Sequence, residues 1–309
     1  MKYSSAVCVR LRVHSNFMRR IHIVGSGPRT GTTLLAELMA ACFHIDHTCE
    51  HEAPICTDQP KEGNCFLTKQ PGDMAYVGLP LALNPELYVI CIIRDPRDSV
   101  VSFHRKSPGL YWTGLKFWKL FGRKYDKLAK HSHFILIKYE DLVRNPDEIQ
   151  NHLMRKMPFL ERKHKFTEYH RVAKPSEESL KALKDVRSIE STSIGNWKKH
   201  LPRIKQQISI HGSISEELVR FGYEPDKCWE RVLDGVEEIN YKTARPEFFS
   251  TLNLLRHKNR ELKEAIKILI RRLGLNPVIF FYPFTKFYAM GRTILRPILR
   301  SKPQSVRRE

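Results

Sequence analysis

The stretch IHIVGSGPRTGTTLLAELMAAC, Ile21 to Cys42, runs from a short apolar segment through a glycine-rich turn into an apolar, helix-like segment. Strand, tight turn and helix in that order gather the backbone N–H groups of the turn and of the helix start around one point, where an anion is held. A G-x-x-x-x-G-K-[ST] phosphate loop would bring a lysine to that point. Here the positions read Gly31, Thr32 and Thr33, and the cation stands earlier in the turn, at Arg29. Its planar fork of donors suits a tetrahedral oxyanion, and the threonine hydroxyls add further donors.

Outward from that turn, five apolar runs predict strands: 21–24, 43–48, 65–68, 88–93 and 133–139. Helical patterns separate several of them, which is the signature of βαβ units. The expected fold class is therefore α/β: a P-loop-like, doubly wound, mostly parallel sheet flanked by helices, with a helical basic extension at the C-terminus. Ligands of such sheets bind at the carboxyl ends of the strands.

The fourth apolar run leads into a second constellation, VICIIRDPRDSVVSFHRK, Val89 to Lys106. A nucleotide hydrolase would end this strand in an aspartate that organises magnesium. This strand ends in Arg94, and after Pro96 the residues Ser99, Ser102 and Lys106 recur at helical spacing. Arg94 with Ser102 makes a second anion site beside the first. Two anion sites without a magnesium carboxylate suit a donor that carries two separate anionic groups.

Composition is consistent with that partner. A net charge of +20 over 309 residues calls for anionic ligands, and the charge is uneven, because residues 241–309 carry sixteen Lys/Arg against four Asp/Glu. Seven cysteines follow no disulfide or zinc spacing; a reducing, cytoplasmic compartment is expected and no metal. No secretory signal core or membrane span is read before Ile21. The expected organisation is a basic N-terminal segment over 1–20, an α/β domain over 21–225, and a basic helical and aromatic extension over 226–309. In the extension, Leu255, Leu262, Ile266, Leu269 and Leu273 mark an amphipathic helix stopped by Gly274 and Pro277. The tail VIFFYPFTKFYAMGRTILRPILR interleaves aromatics with arginines. It is read as packing on its own domain, as a homodimer contact, or as a peripheral contact with the inner membrane surface.

With these segments in order, the chain resembles the sulfotransferases that use 3′-phosphoadenosine 5′-phosphosulfate (PAPS). PRTGTT is similar to their 5′-phosphosulfate loop in its arginine-bearing form, typical of bacterial and Golgi-type members. RDPRDSVVS resembles their 3′-phosphate motif, KYEDLVRNP (138–146) a further family stretch, SIGNWKKHL the loop that closes over the nucleotide, and KQP (69–71) a Lys-x-Pro before the fourth strand. The resemblance implies that Arg29, Thr30, Gly31, Thr32 and Thr33 hold the 5′-phosphosulfate, and that Arg94, Ser102 and Lys106 hold the 3′-phosphate. It further implies that Tyr139 contacts adenine, while Trp197 and Lys198 lie in the closing loop. Leu34 stands where cytosolic members carry a tryptophan for adenine stacking.

The reaction so implied moves a sulfuryl group onto an acceptor hydroxyl without a metal, and it needs a base and positive charge for the transferring oxygens. HTCEHEAPI (47–55) falls where arginine-loop relatives place a catalytic glutamate. Glu52 comes first, Glu50 second and His51 third as the base, with Arg29 and Lys69 as the charge. A glycan or lipid headgroup is the expected acceptor, and nucleic acid is not an expected partner. Two other readings of the same residues are a P-loop small-molecule kinase and a catalytically silent nucleotide- or membrane-binding protein.

Overall fold

The structure is a computed structural model, and it describes residues 18–104, 109–183, 186 and 188–275. Five strands form one sheet: β1 (Arg19–Gly25), β2 (His47–Thr48), β3 (Cys65–Lys69), β4 (Leu87–Ile93) and β5 (Phe134–Lys138). Their order is β2-β3-β1-β4-β5, and every neighbouring pair is parallel. The helices are α1 (Thr32–Cys42), α2 (Gly78–Leu83), α3 (Pro96–Val100), α4 (Lys116–Leu128), α5 (Tyr139–Arg144), α6 (Pro146–Lys156), α7 (Tyr169–Val172), α8 (Glu177–Leu183), α9 (Leu201–His211), α10 (Ser215–Arg220) and α11 (Thr251–Arg272).

A sheet covered on both faces needs strands that are apolar throughout, and β4 meets this with Val89 through Ile93 wholly buried. Pleating sends Val89, Cys91 and Ile93 to the side of Trp118, Phe121 and Phe221, and Ile90 and Ile92 to the side of Leu35, Leu38 and Met39. Truncating one such isoleucine to alanine costs about 2–5 kcal/mol. The central position of β1 puts its C-terminal turn between β3 and β4. Register pairs Ile23 with Lys69 on one side and Gly25 with Ile92 on the other. The ends that carry Gly25, Lys69 and Arg94 therefore converge.

Three sequence expectations change. The second apolar run, 43–48, forms a strand only at His47–Thr48. Phe43 instead bridges Arg162, and the Asp46 carboxylate takes the amides of Asn64 and Cys65, each at 2.9 Å, turning the chain before β2. The helical spacing of Ser99, Ser102 and Lys106 breaks, because α3 stops at Val100 and the Ser102 carbonyl accepts from the Trp112 amide at 2.8 Å. Lys106 lies outside the described residues.

The third change concerns the chain after residue 225. Trp229 and Leu233 enter the main core, Tyr241 and Phe249 pack on it, and the Tyr111 amide donates to the Lys242 carbonyl at 3.1 Å. Residues 226–249 are thus continuous with the α/β body in their packing. Of the apolar positions expected to line α11, Leu255, Leu262, Leu269 and Leu273 are exposed, while Glu264, Ala265 and Ile270 are the buried ones. The helix does stop where expected: Gly274 takes φ 73° and the Leu275 amide reaches back to the Ile270 carbonyl at 3.1 Å. The aromatic and basic tail lies outside the described residues.

Candidate active site

Between Gly25 and Thr32 the turn has two left-handed residues, Arg29 with φ 67° and Gly31 with φ 93°. Glycine is needed at 31 because a Cβ there would also collide with the Tyr139 ring, and at 25 because a Cβ would strike the Thr30 hydroxyl. The loop is closed from inside, with the Thr30 hydroxyl donating to the Gly27 carbonyl at 3.0 Å. No side chain caps α1 and its first turn holds no acidic residue, so its N-terminal amides and dipole face the turn. Thr32 is buried, Thr33 half-buried and Arg29 exposed.

Arg94 is buried beneath this loop. It donates through Nη1 to the Arg29 carbonyl at 3.2 Å and through Nη2 to the Ser193 carbonyl at 2.7 Å, and its guanidinium stands 4.7 Å from the Tyr139 ring centre. Its Nε is buried with no hydrogen-bond partner. Asp95 does not pair with it: that carboxylate accepts from the Arg97 amide at 2.9 Å and grips the Arg97 guanidinium with Nη2 at 2.8 Å. Tyr139 wedges between Gly31 and Arg94, and its hydroxyl is 2.9 Å from the Ser193 hydroxyl. Its ring supports the arginine and the loop together.

The stretch 138–146 works through two neighbours in sequence. While Tyr139 props the loop, the Glu140 carboxylate accepts from the Asp95 amide at 2.9 Å, which fixes the turn after β4. Burial raises the Glu140 carboxyl above the usual range, against the pull of that amide and of Arg94.

The late loop is fastened by Asp98, whose two oxygens accept from the Gly195 amide at 2.8 Å and the Trp197 amide at 2.9 Å. Trp197 is buried, its ring 4.1 Å from the Arg97 guanidinium, which also faces Trp229 at 4.7 Å. Lys198 is exposed and lines a cleft with Trp197, Lys138, Asp141 and Tyr223. Ser102 is half-buried, and among the described residues no hydrogen bond joins it to Arg94.

On the other side of β1, Lys69 ends β3 almost fully buried, with Nζ donating to the Thr33 hydroxyl at 3.0 Å. Burial lowers the Lys69 ammonium; Glu52, Cys49 and Glu37 pull it part of the way back. The chain after β2 runs beside β3, the Cys49 amide bonding the Leu67 carbonyl at 3.1 Å and the Ala53 amide the Lys69 carbonyl at 3.0 Å. That pairing brings Glu52 to the field of Lys69. Glu52 and Glu50 are both exposed, and the Glu50 carbonyl accepts from the Ser176 hydroxyl at 2.8 Å. Burial and Lys69 lower the His51 imidazole below its ordinary value, more than Glu52 and Glu178 raise it.

Four functional neighbours were not read from the sequence: Ser193, Asp98, Arg97 and Glu37. Glu37 stands one helical turn after Thr33, and burial raises its carboxyl while Ser179 and Lys69 oppose. The i, i+4 step from Thr33 to Glu37 was a signal available in the sequence. Among the described residues no group of His, Cys, Asp and Glu is placed to hold a metal ion, and the described cysteines are free thiols. No helix among them is long and apolar enough to cross a membrane.

Comparison with known proteins adds three findings. No curated protein matches the chain in sequence. Among solved structures it is similar to a sulfotransferase domain from the curacin biosynthetic pathway, with 14% identity and a TM-score of 0.37, covering 84% of this chain and 99% of that one. Residues 54–157, from the segment after Glu52 through β3, β4 and β5 into α6, match the family model described as sulfotransferase family. The matched segment is about a third of the chain, and through it the chain is similar to the sulfotransferase family.

Proposed function

We propose that this enzyme takes PAPS as donor and moves its sulfuryl group to an acceptor hydroxyl, with a carbohydrate or glycolipid hydroxyl favoured. The observation that carries the reading is Arg94, buried at the carboxyl end of β4 with two donors fixed and a third without a partner, next to the uncapped start of α1. A buried cationic donor left unsatisfied is costly, and an anion at that point would relieve it.

In this reading the α1 amides, Thr32, Thr33 and Arg29 take the 5′-phosphosulfate, and Arg94 takes the 3′-phosphate. The acceptor oxygen attacks sulfur in line as the bond from sulfur to the bridging phosphate oxygen breaks. The acceptor proton passes to Glu52, and 3′-phosphoadenosine 5′-phosphate leaves. Lys69, desolvated beside Thr33, opposes the charge that grows on the sulfuryl and bridging oxygens, where a dry site strengthens the effect. A kinase reading fits less well. The carboxylate at the end of β4 that would organise magnesium is Asp95, and Arg97 occupies it.

A labelled-donor assay across hydroxyl acceptors tests the reading, run with wild type and Glu52→Gln. Transfer by wild type and a loss of about 10²–10⁴-fold in turnover in the variant, with donor affinity kept, are expected. Full turnover in Glu52→Gln would move the base to Glu50 or His51. Binding of the donor with no transfer to any acceptor would favour a silent nucleotide-binding protein.

A further inference from the structure

α11 turns its leucines away from the body it packs on, while Ala265 and Ile270 face that body. Its inner side meets the core through Glu264 and Ala265, through Arg260 donating to the Tyr76 hydroxyl at 2.9 Å, and through Glu261, 3.7 Å from Lys124. On the outer side Leu252, Leu255, Leu262, Leu269 and Leu273 stand 45–75% exposed at alternating steps of three and four residues, with Asn259 and Ile266 filling the series. An apolar stripe of this length, broken at Asn259, on the outside of a folded body marks a contact surface.

We infer that α11 docks the protein on an anionic lipid surface through this stripe. The flanking charges choose the occupant. Between Thr251 and Arg272 the helix carries seven Lys/Arg and two Asp/Glu, and both acidic residues have basic neighbours on this chain, Glu261 with Lys124 and Glu264 with Lys267 at 3.1 Å. Arg256, Lys258, Lys263 and Arg272 border the stripe. Three-four spacing alone would also serve a helical pair with a second copy of the chain. A parallel copy would set Lys258 against Lys263 along one seam, and an antiparallel copy would set like-charged borders against each other. An apolar stripe edged by Lys and Arg is matched instead by acyl chains beneath negative headgroups. The sequence after Leu275 continues the same sign, with seven Lys/Arg against one Glu.

The far end of the helix lies beside the segment that follows Glu52, since Arg271 pairs with Asp58 at 2.8 Å. Insofar as the sulfuryl-transfer reading holds, docking would present that segment to a headgroup or glycolipid hydroxyl. The docking itself does not depend on that reading.

Flotation of the full chain with phosphatidylcholine vesicles, and with vesicles containing phosphatidylglycerol, tests the inference without any turnover assay. Wild type is expected to float with the anionic vesicles, less so as salt rises and weakly with the neutral ones. Leu255→Glu/Leu262→Glu/Leu269→Glu is expected to lose at least tenfold of the bound fraction while its thermal midpoint stays within a few degrees. If that variant does not fold, Leu255→Ser/Leu262→Ser carries the comparison. Absence of wild-type binding to anionic vesicles overturns the inference, as does equal binding by the folded stripe variant. So does light scattering that shows a wild-type dimer turned monomer by the variant, which would assign the stripe to a second copy.

Discussion

Arg94 shows how one side chain can be both built in and incomplete. Its two terminal nitrogens hold the Arg29 carbonyl of the glycine-rich loop and the Ser193 carbonyl of the late loop, two segments far apart in sequence, and its Nε is buried with no hydrogen-bond partner. Charge-assisted hydrogen bonds contribute about 1.5–3 kcal/mol each. Arg94→Ala should therefore weaken binding of 3′-phosphoadenosine 5′-phosphate by roughly ten- to hundredfold in calorimetry. Arg94→Lys should recover only part of it, since a point charge cannot span two carbonyls and an anion. Unchanged affinity in Arg94→Ala would remove the 3′-phosphate site from this residue. Lys69 has the complementary character, because it is already bonded to Thr33 and is dry. Lys69→Met should lower turnover by about 10²-fold or more while donor affinity falls much less, a split measurable by steady-state kinetics beside direct binding.

At the scale of elements, the site is an arrangement of chain ends fixed by a few polar clasps. Asp98, at the short helix α3, accepts two amides of the late loop and so holds Ser193 over Arg94. Asp98→Ala should free that loop, lower donor affinity about tenfold, and raise amide exchange over 193–199 in hydrogen–deuterium exchange with little change elsewhere. Much of this level was legible in the sequence. The order of strand, turn and helix at Ile21–Cys42 and the apolar runs at 65–68, 88–93 and 133–139 gave the sheet, because strands buried on both faces leave uninterrupted apolar segments. What was not legible depends on contacts between distant segments. Asp98 reads like any acidic residue in a helix start, and Ser193 contributes a carbonyl that has no sequence signature. Trp197 was assigned to the closing loop by resemblance, and its packing beside Arg97 and Trp229 has no signature in the sequence. The outward turn of the α11 leucines was hidden for a similar reason. Periodicity reports that a helix has an apolar face and is silent on which way that face turns.

Across the whole molecule, a buried polar chain ties the sheet to its surroundings and gives stability a pH dependence. His22 on β1 is fully buried, its Nδ1 2.8 Å from the Thr68 hydroxyl and its Nε2 3.2 Å from Asp73. Burial lowers its pKa below the ordinary 6.5, outweighing the pull of Asp73. The folded chain thus protonates His22 at lower pH than the unfolded chain does, so stability should fall as pH drops below about 6.5, by up to about 1.4 kcal/mol per pH unit for this group. Urea unfolding at pH 7.5, 6.5 and 5.5 measures that slope, and His22→Gln should flatten it; an equal slope would assign it to other groups. The proposed donor site, from Gly31 to the late loop, requires two anion sites that act together on one donor. The most direct measurement is calorimetric titration of the wild-type chain with 3′-phosphoadenosine 5′-phosphate and with adenosine 5′-phosphate, which lacks the 3′ group. The two-site clamp predicts that the bisphosphate binds at least about tenfold more tightly, and that Arg94→Ala abolishes the difference. Equal affinities in wild type, or a preference for adenosine triphosphate with magnesium over both, would contradict it.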